Sequence, residues 1–187
     1  MSITGRPSGE IAEDMIKELN LPLTKDEYIQ IYTKECENVF SKPIPLMPGA
    51  ERLVKHLHNN GIPIAIATSS KRSNFELKKR FHKEFFSLFE HILISPDEPE
   101  IHRGKPDPAV FEICAERFKN PPVSTKNVLV FEDSISGVQA AISANMHCVW
   151  IPDSRTFNSN AFNNCSPTLC ISSLLHFQPQ VFKLPPF

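Results

Sequence analysis

From Gly49 to the C-terminal tail, short apolar runs alternate with helix-length amphipathic segments. Nothing else in the chain constrains its fold as much. "IPIAIAT" (62–68), "HILIS" (91–95), "NVLVF" (127–131) and "HCVWI" (147–151) are near-continuous apolar runs of strand length, and "TLCIS" (168–172) is a candidate fifth. Runs of this kind suit parallel strands covered on both faces. Between them, "GAERLVKHLHNNG" places Leu53, Val54 and Leu57 on one face and stops at Asn59-Asn60-Gly61. "SNFELKKRFHKEFFSLF" and "SGVQAAISANM" also read as helices. "DPAVFEICAERF" starts one with Asp107 at the cap and Pro108 at the first helical position. Regular helix–strand alternation predicts an α/β fold, an open doubly wound parallel sheet.

The first forty residues have a different texture. In "EIAEDMIKELN", Ile11, Met15 and Leu19 recur every four residues as one apolar stripe. "TKDEYIQIYTKECENVF" opens a second helix with Thr24 and Glu27 at capping-box spacing. "SKPIPLMPG", with three prolines and a glycine, then breaks the helical pattern. The reading is a small helical unit over 1–44 and an α/β unit over 45–187.

A formal net charge of -1 with dispersed Lys and Arg argues against a nucleic-acid or membrane-surface protein. No apolar run approaches the roughly 20 residues of a membrane-spanning helix. "MSITGRPSGE" lacks a signal-peptide core, so a cytoplasmic protein is expected. Cys36, Cys114, Cys148, Cys165 and Cys170 are scattered and odd in number, and read as small buried hydrophobes rather than a disulfide or metal set. His56 and His58, two apart on a helix, face different sides. Oligomeric state is not legible.

Ligands of open α/β sheets bind beyond the carboxyl ends of the strands, and three clusters stand there. Thr68, Ser69 and Ser70 end one apolar run; they suit an anion or, equally, cap the next helix. Lys105 lies between Gly104 and Pro106, either aimed by them or simply solvated. Glu132 and Asp133 end a third run. Two adjacent carboxylates repel each other and desolvation makes this worse, so they call for a cation, and hard oxygens suit Mg²⁺. The alternative is a helix cap at Asp133 or Ser134 with Glu132 exposed. Anion-binding hydroxyls, a lysine and a magnesium site together describe phosphoryl transfer.

The order "IATSS … GKPDP … FEDS" resembles the second, third and fourth motifs of the haloacid dehalogenase superfamily of magnesium-dependent phosphatases. "LMPGAERLVKHLHNNGIPIAIATSS", "HKEFFSLFEHILI" and "HRGKPDPAVFEICAERF" are similar, more narrowly, to members acting on pseudouridine 5'-phosphate. The resemblance implies that Thr68, with the Ser69–Ser70 turn, holds the phosphoryl group and Lys105 balances its charge. It implies that Glu132 and Asp133 hold Mg²⁺ directly or through water, supported by Ser134. The helices of 1–44 then belong to a cap over the site, and the partner is a small phosphorylated substrate.

One departure stands against this match. The family's first motif, D-x-D-x-[TV], supplies the nucleophilic and acid aspartates from a central strand ahead of the cap. No D-x-D occurs in these 187 residues. Met1 stands where the family is already inside the cap, so the expectation is a chain without that strand, poorly stable and inactive as given. The strands ending at Thr68 and Phe131 should then either pair directly or flank a gap. Two functional readings stay open: a phosphatase of this family lacking its nucleophile, or a non-catalytic isoform acting as a binding or regulatory module. A dehalogenase or phosphomutase fits the narrower resemblance less well. A plain nucleotide-binding sheet lacks its Gly-rich phosphate loop.

Overall fold

In the computed structural model, which describes residues 8–153 and 166–187 (side chains from Ala12), the alternation gives two parallel half-sheets. β1 (Ala65–Thr68) pairs with β2 (His91–Ile94). β3 (Leu129–Glu132) pairs with β4 (His147–Trp150), and β4 with β5 (Leu169–Cys170). No ladder joins β1 to β3 among the described residues.

The halves nevertheless belong to one layer. Side chains alternate faces along a strand. Ala65, Ala67, Val128 and Val130 all pack into a core with Leu93, Val110, Val138 and Trp150. Ile62, Ile64, Leu129 and Phe131 all pack into a second core with Leu53, Leu57 and Phe177. The two half-sheets therefore share the same two cores, one on each face. α6 (Ala109–Glu116) and α7 (Ile135–Ser143) cover the first; α3 (Ala50–Asn59) and the C-terminal tail cover the second.

Between the halves lies an apolar slot of about 580 Å³. Residues 62–67 wall one side and 127–132 the other, with Leu53 and Leu57 on one face and Phe111 and Cys114 on the opposite face. The carbonyl of Ile64 accepts from Glu90 N, so it is turned toward β2; those of Val128 and Glu132 accept from His147 N and Ile151 N, toward β4. Strand alternation then turns the backbone of Ala65, Ala67, Leu129 and Phe131 toward the slot. As expected for a sheet lacking a central strand, β1 and β3 flank a gap. β1 is covered on both faces as expected, but its slot-side edge is open and all four of its residues are only partly buried.

The helices follow their local signals. α2 (Lys25–Phe40) carries the capping box: Thr24 N donates to Glu27 Oε2 at 2.8 Å and Glu27 N to Thr24 Oγ1 at 3.3 Å. α3 ends before Gly61, whose φ of 68° is the left-handed turn that glycine permits. α1 (Ser8–Glu18) is shorter than the apolar stripe suggested. Leu19 falls past its end and is 55% exposed, while Ala12 is buried; the Ile11 side chain lies outside the described residues. The Phe-rich helical segment divides into α4 (Arg72–Lys79) and α5 (Lys83–Phe86). α6 starts one residue later than predicted, though the Asp107 carboxylate still accepts from Ala109 N at 3.0 Å. α1 packs on α2, and α2 on α4, bringing the helical pair to the carboxyl end of β1.

His56 and His58 do face apart, toward the carbonyls of Pro185 and Leu88. Cys36, Cys114 and Cys148 are buried and Cys170 is half-buried, none of the four in a disulfide; Cys165 lies outside the described residues. Burial pushes the Cys114 thiol up to about 11, so it stays protonated and behaves as a hydrophobe.

Candidate active site

The three strand-end clusters converge at the carboxyl mouth of the slot. Lys105, on the loop before α6, is buried with 8% exposure. Its Nζ lies 3.4 Å from the Ala67 carbonyl oxygen, closes an ion pair with Glu132 Oε1, and stands 4.6 Å from the centre of the Phe111 ring. One side chain thus bridges the ends of β1 and β3. The solvated-lysine reading does not hold.

Glu132 has no spare oxygen. Oε1 takes Lys105, while Oε2 accepts from Ser134 N at 3.2 Å and Ser134 Oγ at 3.0 Å. Ser134 also caps α7, its hydroxyl accepting from Gly137 N at 3.0 Å. The cap reading is therefore right for Ser134, and the exposed-Glu132 reading is wrong: Glu132 is 8% exposed.

Asp133 is different. It is exposed at the mouth, yet the protein around its carboxyl and the Glu132 charge beside it hold its pKa above the ordinary value. Its backbone carbonyl accepts from Trp150 Nε1 at 3.0 Å, which fixes the turn. A carboxylate destabilised in this way is a hard oxygen ligand that a divalent cation would relieve. Among the described residues no three His, Cys, Asp or Glu side chains cluster, so the mouth offers at most a partial ligand set for a hard cation.

At the end of β1 the ordinary-cap reading fails. α4 has Lys71 at its N-cap and no side-chain capping bond, so the hydroxyls of 68–70 do not cap the helix. Thr68 Oγ1 accepts from Ser70 N at 3.1 Å, tightening the turn. Ser69 Oγ is buried without a partner. A buried hydroxyl left unsatisfied costs about 1–3 kcal/mol, and a ligand oxygen here would recover it.

Two contributors escaped the sequence reading. Gly137 lets α7 lie against Glu132: a Cβ there would sit 2.0 Å from Glu132 Cδ. Trp150 fixes Asp133 from the neighbouring strand. A small residue three positions after the capping serine was the one available hint of the first; the second depends on strand register and left none.

Residues 4–145 match the sequence profile of haloacid dehalogenase-like hydrolases, and the chain belongs to that family. It is 39% identical to a probable pseudouridine-5'-phosphatase of Drosophila melanogaster, over 99% of this chain and 78% of that protein. It is 40% identical to (DL)-glycerol-3-phosphatase 1, mitochondrial, of Arabidopsis thaliana, over 98% of this chain and 60% of that one. The chain thus spans 60 to 78% of the length of these relatives. Among solved structures, a HAD family hydrolase from Deinococcus radiodurans with bound phosphate and sodium superposes with a TM-score of 0.75 at 19% identity. That match covers 100% of this chain and 81% of that one, and shows a shared fold.

Proposed function

We propose that the slot mouth is the phosphoryl and metal site of a magnesium-dependent phosphomonoesterase acting on a small phosphorylated metabolite, pseudouridine 5'-phosphate before glycerol 3-phosphate. The carrying observation is the convergence of the unpartnered Ser69 hydroxyl, buried Lys105 and exposed Asp133 at the same mouth. In this reading Thr68 and the Ser69–Ser70 turn donate to the phosphoryl oxygens. Lys105 fixes the distance between the two strand ends. Asp133 takes Mg²⁺ directly, and Glu132, its oxygens occupied, supports Lys105 and reaches the ion only through water. The ion, when bound, offsets phosphoryl charge. α1 and α2 act as part of a cap.

The 187 residues hold no D-x-D pair, and in this reading both carboxylates at the mouth are committed, Glu132 to Lys105 and Ser134 and Asp133 to the metal. We propose that the chain by itself binds but does not turn over. The test is calorimetric binding of pseudouridine 5'-phosphate with Mg²⁺, run beside a phosphate-release assay. Binding without release is expected. Release would refute the missing nucleophile, and absence of both would favour the non-catalytic module over the phosphatase site.

A further inference from the structure

A cation outside the motif residues stands at the same mouth. Lys78, in the last turn of α4, is half-buried. Its Nζ lies 3.5 Å from Ser70 Oγ and 4.7 Å from the centre of the Phe40 ring at the end of α2. No carboxylate of the described residues pairs with it, in contrast to Lys55, Lys79 and Lys105. Burial holds its ammonium below the ordinary value, against the weaker opposing influence of Cys36 and Asp133. The anions around it therefore do not offset its burial.

The charge balance at the mouth gives this position meaning. Lys105 is neutralised by Glu132, so the pair offers little net charge to a ligand. Ser69 Oγ waits without a partner and Ser70 Oγ already faces Lys78. A dianionic phosphoryl group seated on the β1 turn needs an uncompensated cation within contact range, and Lys78 supplies it. We infer that Lys78 is a phosphate-binding residue, donating from Nζ to a phosphoryl oxygen held at Thr68–Ser70. Because the same ammonium rests on Phe40, it also links occupancy of the site to the helical pair. This inference rests on the phosphate-site reading above. The bland alternative is that the lysine stem merely packs α4 on α2.

The test is a titration of inorganic phosphate into the 187-residue chain by calorimetry, with Lys78→Met, Lys78→Arg and Thr68→Val alongside, and a thermal melt of each. We expect Lys78→Met to weaken phosphate binding tenfold or more while leaving its melting temperature at or above the parent's. Lys78→Arg should restore most of the affinity. If Thr68→Val loses binding and Lys78→Met does not, the phosphate site stands and the role of Lys78 is overturned. The packing role alone predicts a lower melting temperature with unchanged affinity, which also overturns it. If the parent chain binds no phosphate, the site reading itself falls and the inference with it.

Discussion

Lys105 and Glu132, 27 positions apart, form a buried ion pair across the mouth of the slot, each side chain only 7% exposed. It holds the ends of two strands that share no hydrogen-bond ladder. Removing one partner leaves the other charged and buried, a loss of about 3–5 kcal/mol. Glu132→Gln should therefore lower unfolding free energy by about that much in urea denaturation. Lys105→Met combined with Glu132→Leu should recover a large part of it, because no charge is then stranded.

Gly137 tests how firmly that carboxylate is held. Gly137→Ala would place a methyl group within 2.3 Å of all three atoms of the Glu132 carboxyl group. The carboxylate is the far end of a flexible chain, but Lys105 and Ser134 both fix it, so it cannot swing aside without losing them. The expected cost is about 1–3 kcal/mol, as for other overpacked sites, with weaker phosphate binding. Unchanged stability in the same urea titration would mean that Glu132 is not fixed as described.

Asp133 should make stability depend on pH in a particular direction. Its folded pKa is raised, so the folded state holds its proton more readily than the unfolded chain does. Its contribution is complete below the ordinary value of 3.8 and is lost as pH rises through the window above it. Asp133→Asn should then stabilise the chain at neutral pH and flatten that slope in thermal melts. Added Mg²⁺ should raise the parent's melting temperature and leave that of the Asn variant unchanged.

The slot leaves its own signature in hydrogen exchange. The amides of Ala65, Ala67, Leu129 and Phe131 face the slot rather than a neighbouring strand, so they should exchange faster than those of Ile66 and Val130. Equal protection along β1 and β3 would show that the two strands pair or that the slot is filled.

Most of this architecture was legible because local signals agreed with it. The apolar runs gave the five strands, and Thr24–Glu27 marked a helix start confirmed atom by atom. Leu19 failed because a four-residue period describes a helix face without saying where the helix stops. The division of the Phe-rich segment into α4 and α5 was hidden because its aromatics form a tertiary cluster, with Phe75, Phe85 and Phe86 edge to face. At the candidate site, residue types singled out Thr68, Lys105, Glu132 and Asp133, which the fold brings to one mouth. That Glu132 is buried with both oxygens spent on Lys105 and Ser134 while Asp133 is exposed required the fold. Lys78 was invisible, since in sequence it is one of several lysines on a polar helix.

The central claim is that the β1 turn and Asp133 together bind a phosphoryl group and a divalent cation. A crystal structure of the 187-residue chain soaked with Mg²⁺ and phosphate tests it most directly. The account predicts phosphate oxygens within hydrogen-bond distance of Thr68 Oγ1 and Lys78 Nζ, with Mg²⁺ about 2.0–2.1 Å from an Asp133 oxygen. Phosphate and metal bound elsewhere, or an empty mouth in a crystal that holds both ions in solution at high concentration, would contradict it.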